Sequence, residues 1–143
     1  MNIYFACSIT GGREFEAVYQ VIVAALVREG HQVPTAHLAE SGAGENEAAL
    51  GPGAVYARDV EWIRACDVLI AEVSVPSHGV GYEIGFALGL GKPVLAIHQQ
   101  GRKVSKMITG NPEPRLQVRA YREAAEALVV IREFLAGRSG VSS

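Results

Sequence analysis

Glu83, Asp59 and Tyr4 are the residues of this 143-residue chain whose types and settings could do chemistry together. Glu83 lies in Pro76-Ser77-His78-Gly79-Val80-Gly81-Tyr82-Glu83-Ile84-Gly85. The apolar run Asp67-Val68-Leu69-Ile70-Ala71-Glu72-Val73 precedes that segment, and a helix-like run continues from it to Gly91. A hydroxyl, two glycines and a carboxylate therefore sit where a strand hands over to a helix. In an open parallel sheet that junction is where ligands bind, and a helix N-terminus there favours an anion. Glu83 is then either an ordinary first-turn acid or a catalytic group. The apolar neighbours Tyr82, Ile84 and Phe86 and the buried strand before it turn its carboxylate toward the crevice.

Asp59 sits within the apolar face that Val55, Tyr56, Val60, Trp62 and Ile63 form at helical spacing. A carboxylate there is costly unless paired or used; the alternative is an acid at the edge of the face. Arg58 and Glu61, on the other side, read as solvated. Tyr4 falls inside the first strand-like run, either as a core tyrosine or with its hydroxyl on Glu83. Two carboxylates at one pocket suit glycosidic chemistry. One attacks or stabilises the anomeric carbon, and the other, with a raised pKa, serves the leaving group. Ser8, Ser77 and the glycines Gly11, Gly12 and Gly79 suit a phosphate cradle, with Arg13 adding a cation. The histidines His31, His78 and His98 show no ligand spacing, so a metal site is not expected, and a two-carboxylate mechanism needs no redox cofactor.

These residues need a scaffold of alternating strands and helices. Asn2 to Cys7 reads as a buried strand and Arg13 to Glu29 as an amphipathic helix that Gly30 stops. His31 to Ala36 reads as a weaker second strand, and His37 to Gly53, rich in Gly, Ala and Glu, as a loop. A helix over Ala54 to Cys66, a strand over Asp67 to Val73, a helix over Val80 to Leu90 and a strand over Lys92 to His98 follow. After a second long loop, Gln99 to Pro114, come a short strand at Arg115 to Val118 and a final helix at Tyr121 to Leu135. The pattern predicts a flavodoxin-like, doubly wound α/β fold: a five-stranded parallel sheet in the order 2-1-3-4-5, with helices on both faces. One domain is expected over residues 1–137, with 138–143 a frayed tail. Gly81, Gly85 and Gly89 leave a bare helical stripe open to the sheet or to a partner helix.

Hydrophobic content of 49% and charged content of 20% describe an ordinary globule. A net charge of −2 argues against a nucleic-acid surface. No apolar run approaches the roughly 20 residues of a membrane span. With a strand-like run at the start, no secretory leader is expected. The two cysteines, Cys7 and Cys66, then suit a reducing cytoplasm.

Four blocks in order carry a resemblance: Tyr4-Phe5-Ala6-Cys7-Ser8-Ile9-Thr10-Gly11-Gly12-Arg13, Arg58-Asp59-Val60-Glu61-Trp62, Ala71-Glu72-Val73 with Pro76 to Gly85, and Ser105-Lys106-Met107-Ile108. The chain resembles, from Tyr4 to about Phe134, the 2'-deoxynucleoside 5'-monophosphate N-glycosidases of Rcl type, within the wider nucleoside 2-deoxyribosyltransferase family. The resemblance implies Glu83 as nucleophile on C1', Asp59 as the group assisting the departing base and Tyr4 as the group orienting Glu83. It implies a substrate-binding set of Cys7, Ser8, Ile9, Thr10, Gly11, Gly12 and Arg13 with Ser77 and Gly79 around the phosphate, and His37 near the base. Ser105, Lys106 and Met107 match a segment that a homodimer partner donates toward the phosphate. Cys7-Ser8 replaces a Gly-Ser seen in some relatives, and Thr10 stands where a basic residue is frequent.

The expected activity is hydrolysis of the N-glycosidic bond of (2'-deoxy)nucleoside 5'-monophosphates, by a retaining double displacement, to free base and (2-deoxy)ribose 5-phosphate. The alternatives are a deoxyribosyltransferase, a ribonucleotide N-glycosidase acting on CMP-like substrates and, more remotely, a nucleotide-sensing module.

Overall fold

The computed structural model describes residues 1–9 and 14–139. Four strands form a parallel sheet in the order β1-β2-β3-β4: β1 (Ile3–Ala6), β2 (Val68–Glu72), β3 (Val94–Gln99) and β4 (Leu116–Tyr121). The register runs Tyr4–Leu69–Val94–Leu116 and Ala6–Ala71–Ala96–Val118 across the sheet. Side chains alternate between faces along each strand. Ile3, Phe5, Ile70, Leu95 and Ile97 join one core with α1 (Glu16–Arg28) and α6 (Ala124–Ser139). Tyr4, Ala6, Leu69, Ala71 and Ala96 join the other with α3 (Pro52–Ala65) and α4 (His78–Gly89). Three alanines in register on that second face leave space above the sheet, on the side where α3 and α4 pack.

The helix ends are chemically specified. The N–H groups of Gly30 and His31 bond to the carbonyls of Val27 and Leu26, and those of Gly91 and Lys92 to Leu88 and Ala87. Both are Schellman ends, with Gly30 and Gly91 at positive φ, where a side chain would be strained. The Lys92 ammonium donates to the carbonyls of Arg64 and Cys66, which satisfies the end of α3 beside β2.

Among the described residues the sheet has four strands where five were expected. The segment expected as the second strand runs beside β1 but makes one isolated bridge, Asn2 with Gln32. Pro34 has no N–H to continue a ladder. Where the next ladder bonds would fall, the buried Thr35 hydroxyl takes both: it accepts from the Phe5 N–H at 3.1 Å and donates to the Phe5 carbonyl at 2.8 Å. The chain then enters a 3-10 turn (Ala36–Ala39) and the short helix α2 (Ala43–Ala48), so 37–53 is not the loop its composition suggested. The second long loop holds one further helical turn, α5 (Lys106–Thr109), and α6 runs on through Ser139 into the segment expected to fray. Among the described residues no helix is long and apolar enough to cross a membrane.

Candidate active site

A cavity of about 490 Å³ opens at the carboxyl end of β1, roofed by the 3-10 turn, α2 and α3 and flanked by the start of α4. Its volume lies within the usual range of small-ligand pockets. Most of the lining is apolar, with Leu38, Leu50, Pro52, Val55 and Val60 among it, and its polar groups include the hydroxyls of Tyr4, Tyr56, Tyr82 and Ser77 and the carboxyls of Glu47, Asp59 and Glu83. This explains why α3 has a broad apolar face yet buries only Ile63 fully. Much of that face looks into the cavity and not onto core.

Tyr4 rises from β1 on the α4 side, 1% exposed, and its hydroxyl donates to Glu83 Oε2. Burial pushes the Glu83 carboxyl up to about 7; the Tyr4 hydrogen bond opposes the rise and the nearby Asp59 charge adds to it. The same surroundings act on Tyr4. Burial first, then the charge of Glu83, holds the phenol far above its ordinary range, so it stays a donor at any working pH. Asp59 is also raised by burial, against the pull of Arg58. Two carboxyls that burial makes harder to ionise thus face one apolar space, with one of them gripped by a phenol. Such an arrangement suits a nucleophile and an acid–base partner.

At the mouth, the Ser77 side chain caps α4 by accepting from the Val80 N–H at 3.2 Å. A Cβ added at Gly79 would meet nothing nearer than the Ser77 hydroxyl, at 3.9 Å, so the space beside the first turn of α4 is open. Tyr56 and Tyr82, both more than half exposed, face each other across the entrance with ring centroids 6.3 Å apart.

Of the residues singled out in the sequence, Tyr4, Cys7, Ile9, Asp59, Ser77, Gly79 and Glu83 line this cavity. Ser8 is wholly buried and is not among the lining residues. His37 stacks edge-on against Trp62 and lies 3.7 Å from Glu47, beside the cavity. Ser105 caps α5 through the Met107 N–H, and Met107 is 83% exposed; neither they nor Lys106 line the cavity of this chain. Thr10, Gly11, Gly12 and Arg13 lie outside the described residues. The Gly81, Gly85 and Gly89 stripe faces outward, with nothing near the position of an added Cβ, so it is open and not packed on the sheet. Among the described residues no His, Cys, Asp and Glu cluster could hold a metal ion.

Three residues escaped the sequence reading. Arg58 is not solvated: its Nε donates to Asp59 Oδ1 at 2.9 Å and its Nη2 to Glu47 Oε1 at 2.6 Å. Glu72, read as part of an apolar strand, is fully buried and accepts from Tyr121, from the Ser74 N–H at 2.7 Å and from the Ser74 hydroxyl at 2.9 Å. A charged residue inside an apolar run was the available signal for Glu72. Glu47 carried none, because its partner comes from another helix.

The fold and the cavity define an open parallel α/β protein with a ligand pocket, lined by two carboxylates, at the carboxyl edge of its sheet. The sequence profile of the nucleoside 2-deoxyribosyltransferase family matches residues 3–129, and the chain belongs to that family. It is 45% identical over 139 residues to the 5-hydroxymethyl-dUMP N-hydrolase of Mus musculus, covering 93% of this chain and 79% of that one. To the 5-hydroxymethyl-dUMP N-hydrolase of Homo sapiens it is 42% identical over 143 residues, covering 96% and 82%. The solved structure of a CMP N-glycosidase from Clostridium botulinum matches with a TM-score of 0.71 at 20% identity, over 92% of this chain and 98% of that one. At that identity the likeness is one of fold.

Proposed function

We propose that this chain hydrolyses the N-glycosidic bond of 2'-deoxynucleoside 5'-monophosphates, releasing free base and 2-deoxyribose 5-phosphate. The observation that carries the reading is the half-buried Glu83, held by Tyr4 and sharing one cavity with Asp59. The relatives named above support the substrate class. In the first step a Glu83 carboxylate oxygen bonds to C1', the C1'–N bond breaks, and the base leaves with its electron pair, protonated with the help of Asp59. In the second, water adds to C1', the ester bond to Glu83 breaks, and the water's proton passes to Asp59. Configuration at C1' is retained over the two displacements. Tyr4 donates to the Glu83 oxygen that does not react and so aims the other.

The phosphate is read at the first turn of α4, by Ser77, by the backbone at Gly79 and by the positive end of the helix. Ser8 and the Cys7–Arg13 segment serve the same group, His37 serves the base, and Ser105, Lys106 and Met107 reach the site of a homodimer partner. Residues 1–137 form the catalytic domain, working in the cytoplasm. The second reading is base exchange on free nucleosides, the activity that gives the family its name. The test is chromatography of free base and sugar phosphate, from a deoxynucleoside and from its 5'-monophosphate, with and without an acceptor base. Release of base from the monophosphate alone, unaffected by acceptor, is expected. Equal use of both substrates, or exchange outrunning hydrolysis, overturns the hydrolase reading.

A further inference from the structure

Arg58 and Asp59 are adjacent on α3, and adjacent helix residues do not ordinarily face each other. Here the arginine side chain doubles back. Its Nε meets Asp59 Oδ1, its Nη2 meets Glu47 Oε1 on α2, and its guanidinium carbon lies 4.9 Å from the centroid of the Trp62 ring. An arginine usually gives a parallel pair of N–H groups to one carboxylate. This one is divided between two, and its side chain is only 22% exposed. Glu47 is held on terms that do not favour its own burial. Its Oε2 is enclosed with no hydrogen-bond partner among the described residues, and buried polar atoms are rarely left so. What Glu47 does achieve is to hold half of the arginine. Undivided, Arg58 would clamp both oxygens of Asp59; divided, it fixes one.

We propose that Arg58 is a positioning residue for the reaction: shared between Glu47 and Asp59, it pins the Asp59 carboxylate by Oδ1 and leaves Oδ2 to meet the departing base. The inference rests on the reading above that Asp59 serves the leaving group. The groups that face Asp59 are Arg58 from its own helix, Glu47 from α2, His37 from the 3-10 turn, Glu83 from α4 and Tyr4 from β1. Arg58 is the cation bonded to it, against two acids and a neutral phenol. Its charge also lowers Glu83, so a pH profile alone would mix the two carboxylates. The chemistry of the leaving group separates them. In the first step only a base that departs with a proton needs a placed Asp59, whereas attack by Glu83 is common to every substrate. The second step, in which Asp59 takes the water's proton, is shared, so the comparison is made on the first step, read as base or phenolate release in a single turnover.

The test compares wild type with Arg58→Gln, Arg58→Lys and Asp59→Asn on two substrates. One is a natural 2'-deoxynucleoside 5'-monophosphate. The other is 4-nitrophenyl 2-deoxyriboside 5-phosphate, whose phenolate leaves without a proton. Arg58→Gln should lower the single-turnover rate of base release from the nucleotide by roughly 10- to 100-fold, the scale of a misplaced catalytic group, with the half-saturating substrate concentration changed less than about threefold. On the aryl substrate it should lose less than about threefold. Arg58→Lys, which keeps the charge but cannot span both carboxylates, should show the same selectivity with a smaller loss, and it decides the matter if Arg58→Gln does not fold. Equal losses on both substrates, or no loss on either, overturn the positioning role. Asp59→Asn distinguishes the two failures. If it is selective for the nucleotide and the Arg58 variants are not, the Arg58 inference alone falls. If Asp59→Asn is not selective, the reading of Asp59 falls and takes the inference with it.

Discussion

A carboxyl group raised to about 7 is expensive to ionise, and Glu83 carries that cost in the fold. Its ordinary value is 4.5, so the folded state binds this proton more tightly than the unfolded chain does. The contribution to stability is whole below about pH 4.5 and is lost as the pH rises through about 7. Glu83→Gln keeps the shape and can still accept from Tyr4, but it has no charge to bury. The variant should therefore be more stable than wild type at pH 8, by at most about 3 kcal/mol, and the gain should vanish toward pH 4.5. Urea unfolding at the two pH values measures this. The same variant should lose many powers of ten in turnover, on the order of 8 kcal/mol of barrier, if Glu83 is the nucleophile. A destabilised Gln variant at pH 8, or one that still turns over, contradicts the strained-nucleophile account. In the proposed mechanism reactivity and instability share one physical cause, a carboxylate kept out of water.

Tyr4 follows from the same balance. Its hydrogen bond lowers the Glu83 value against burial. Tyr4→Phe should move the acidic limb of kcat/KM, expected near pH 7 in the native enzyme, to higher pH, because ionised Glu83 is then less favoured. A pH–rate profile that keeps its limb after this substitution would place the titration elsewhere.

At the scale of elements, the loop from β2 to α4 does most to assemble the site. Glu72 ends β2 and ties Ser74 by both its N–H and its hydroxyl, while the Gln99 N–H donates to the same hydroxyl at 2.8 Å and Tyr121 reaches in from β4. Burial raises the Glu72 carboxyl, against the hydrogen bonds of Tyr121 and Ser74. The ends of β2, β3 and β4 are thus joined through one buried acid, two residues before the turn that carries Ser77. That turn has two duties, since the Ser77 hydroxyl caps α4 and, in the proposed site, faces phosphate. Ser77→Ala should cost about 1 kcal/mol of stability as a lost cap. It should also weaken the preference for a 5'-monophosphate over the nucleoside by about tenfold, in line with the loss of one hydrogen bond to a charged group. Loss of stability with an unchanged preference would reduce Ser77 to its capping role.

At the scale of the whole molecule, the open features lie near one another on α3 and α4. The glycine stripe of α4 faces outward, and Tyr82, beside it, stacks on Phe86 and meets Tyr56 of α3. Ser105 and the exposed Met107 stand on a separate turn and do not line this chain's cavity. A two-fold dimer would bury the aromatic and glycine surface and deliver that turn to the neighbouring site. Sedimentation at micromolar concentration should give a dimer. Mixing an inactive Glu83→Gln chain with an inactive Ser105→Ala, Met107→Ala chain should restore activity, because one of the two mixed sites then has every group intact. A fully active monomer would exclude the shared site.

Periodicity along the chain determined the α/β class, the parallel sheet, most of its strands and the helices over 16–28, 52–65 and 78–89, because each depends on local spacing of apolar residues and on glycine at the helix ends. It also exposed Tyr4, Asp59 and Glu83, since a polar group inside an apolar face is visible without coordinates. What it could not determine depended on groups far apart in sequence. The fifth strand fails because a threonine thirty residues away takes the bonds of Phe5. The polar composition of 37–53 conceals short helices that fold as the roof of a cavity, and the apolar face of α3 is spent on that cavity and not on core. Arg58 and Glu47 meet only when α2 lies against α3, and Glu72 finds Tyr121 only across three strands. Local pattern sets which elements form; the partners of buried charges are chosen by packing, and only the tertiary structure decides them.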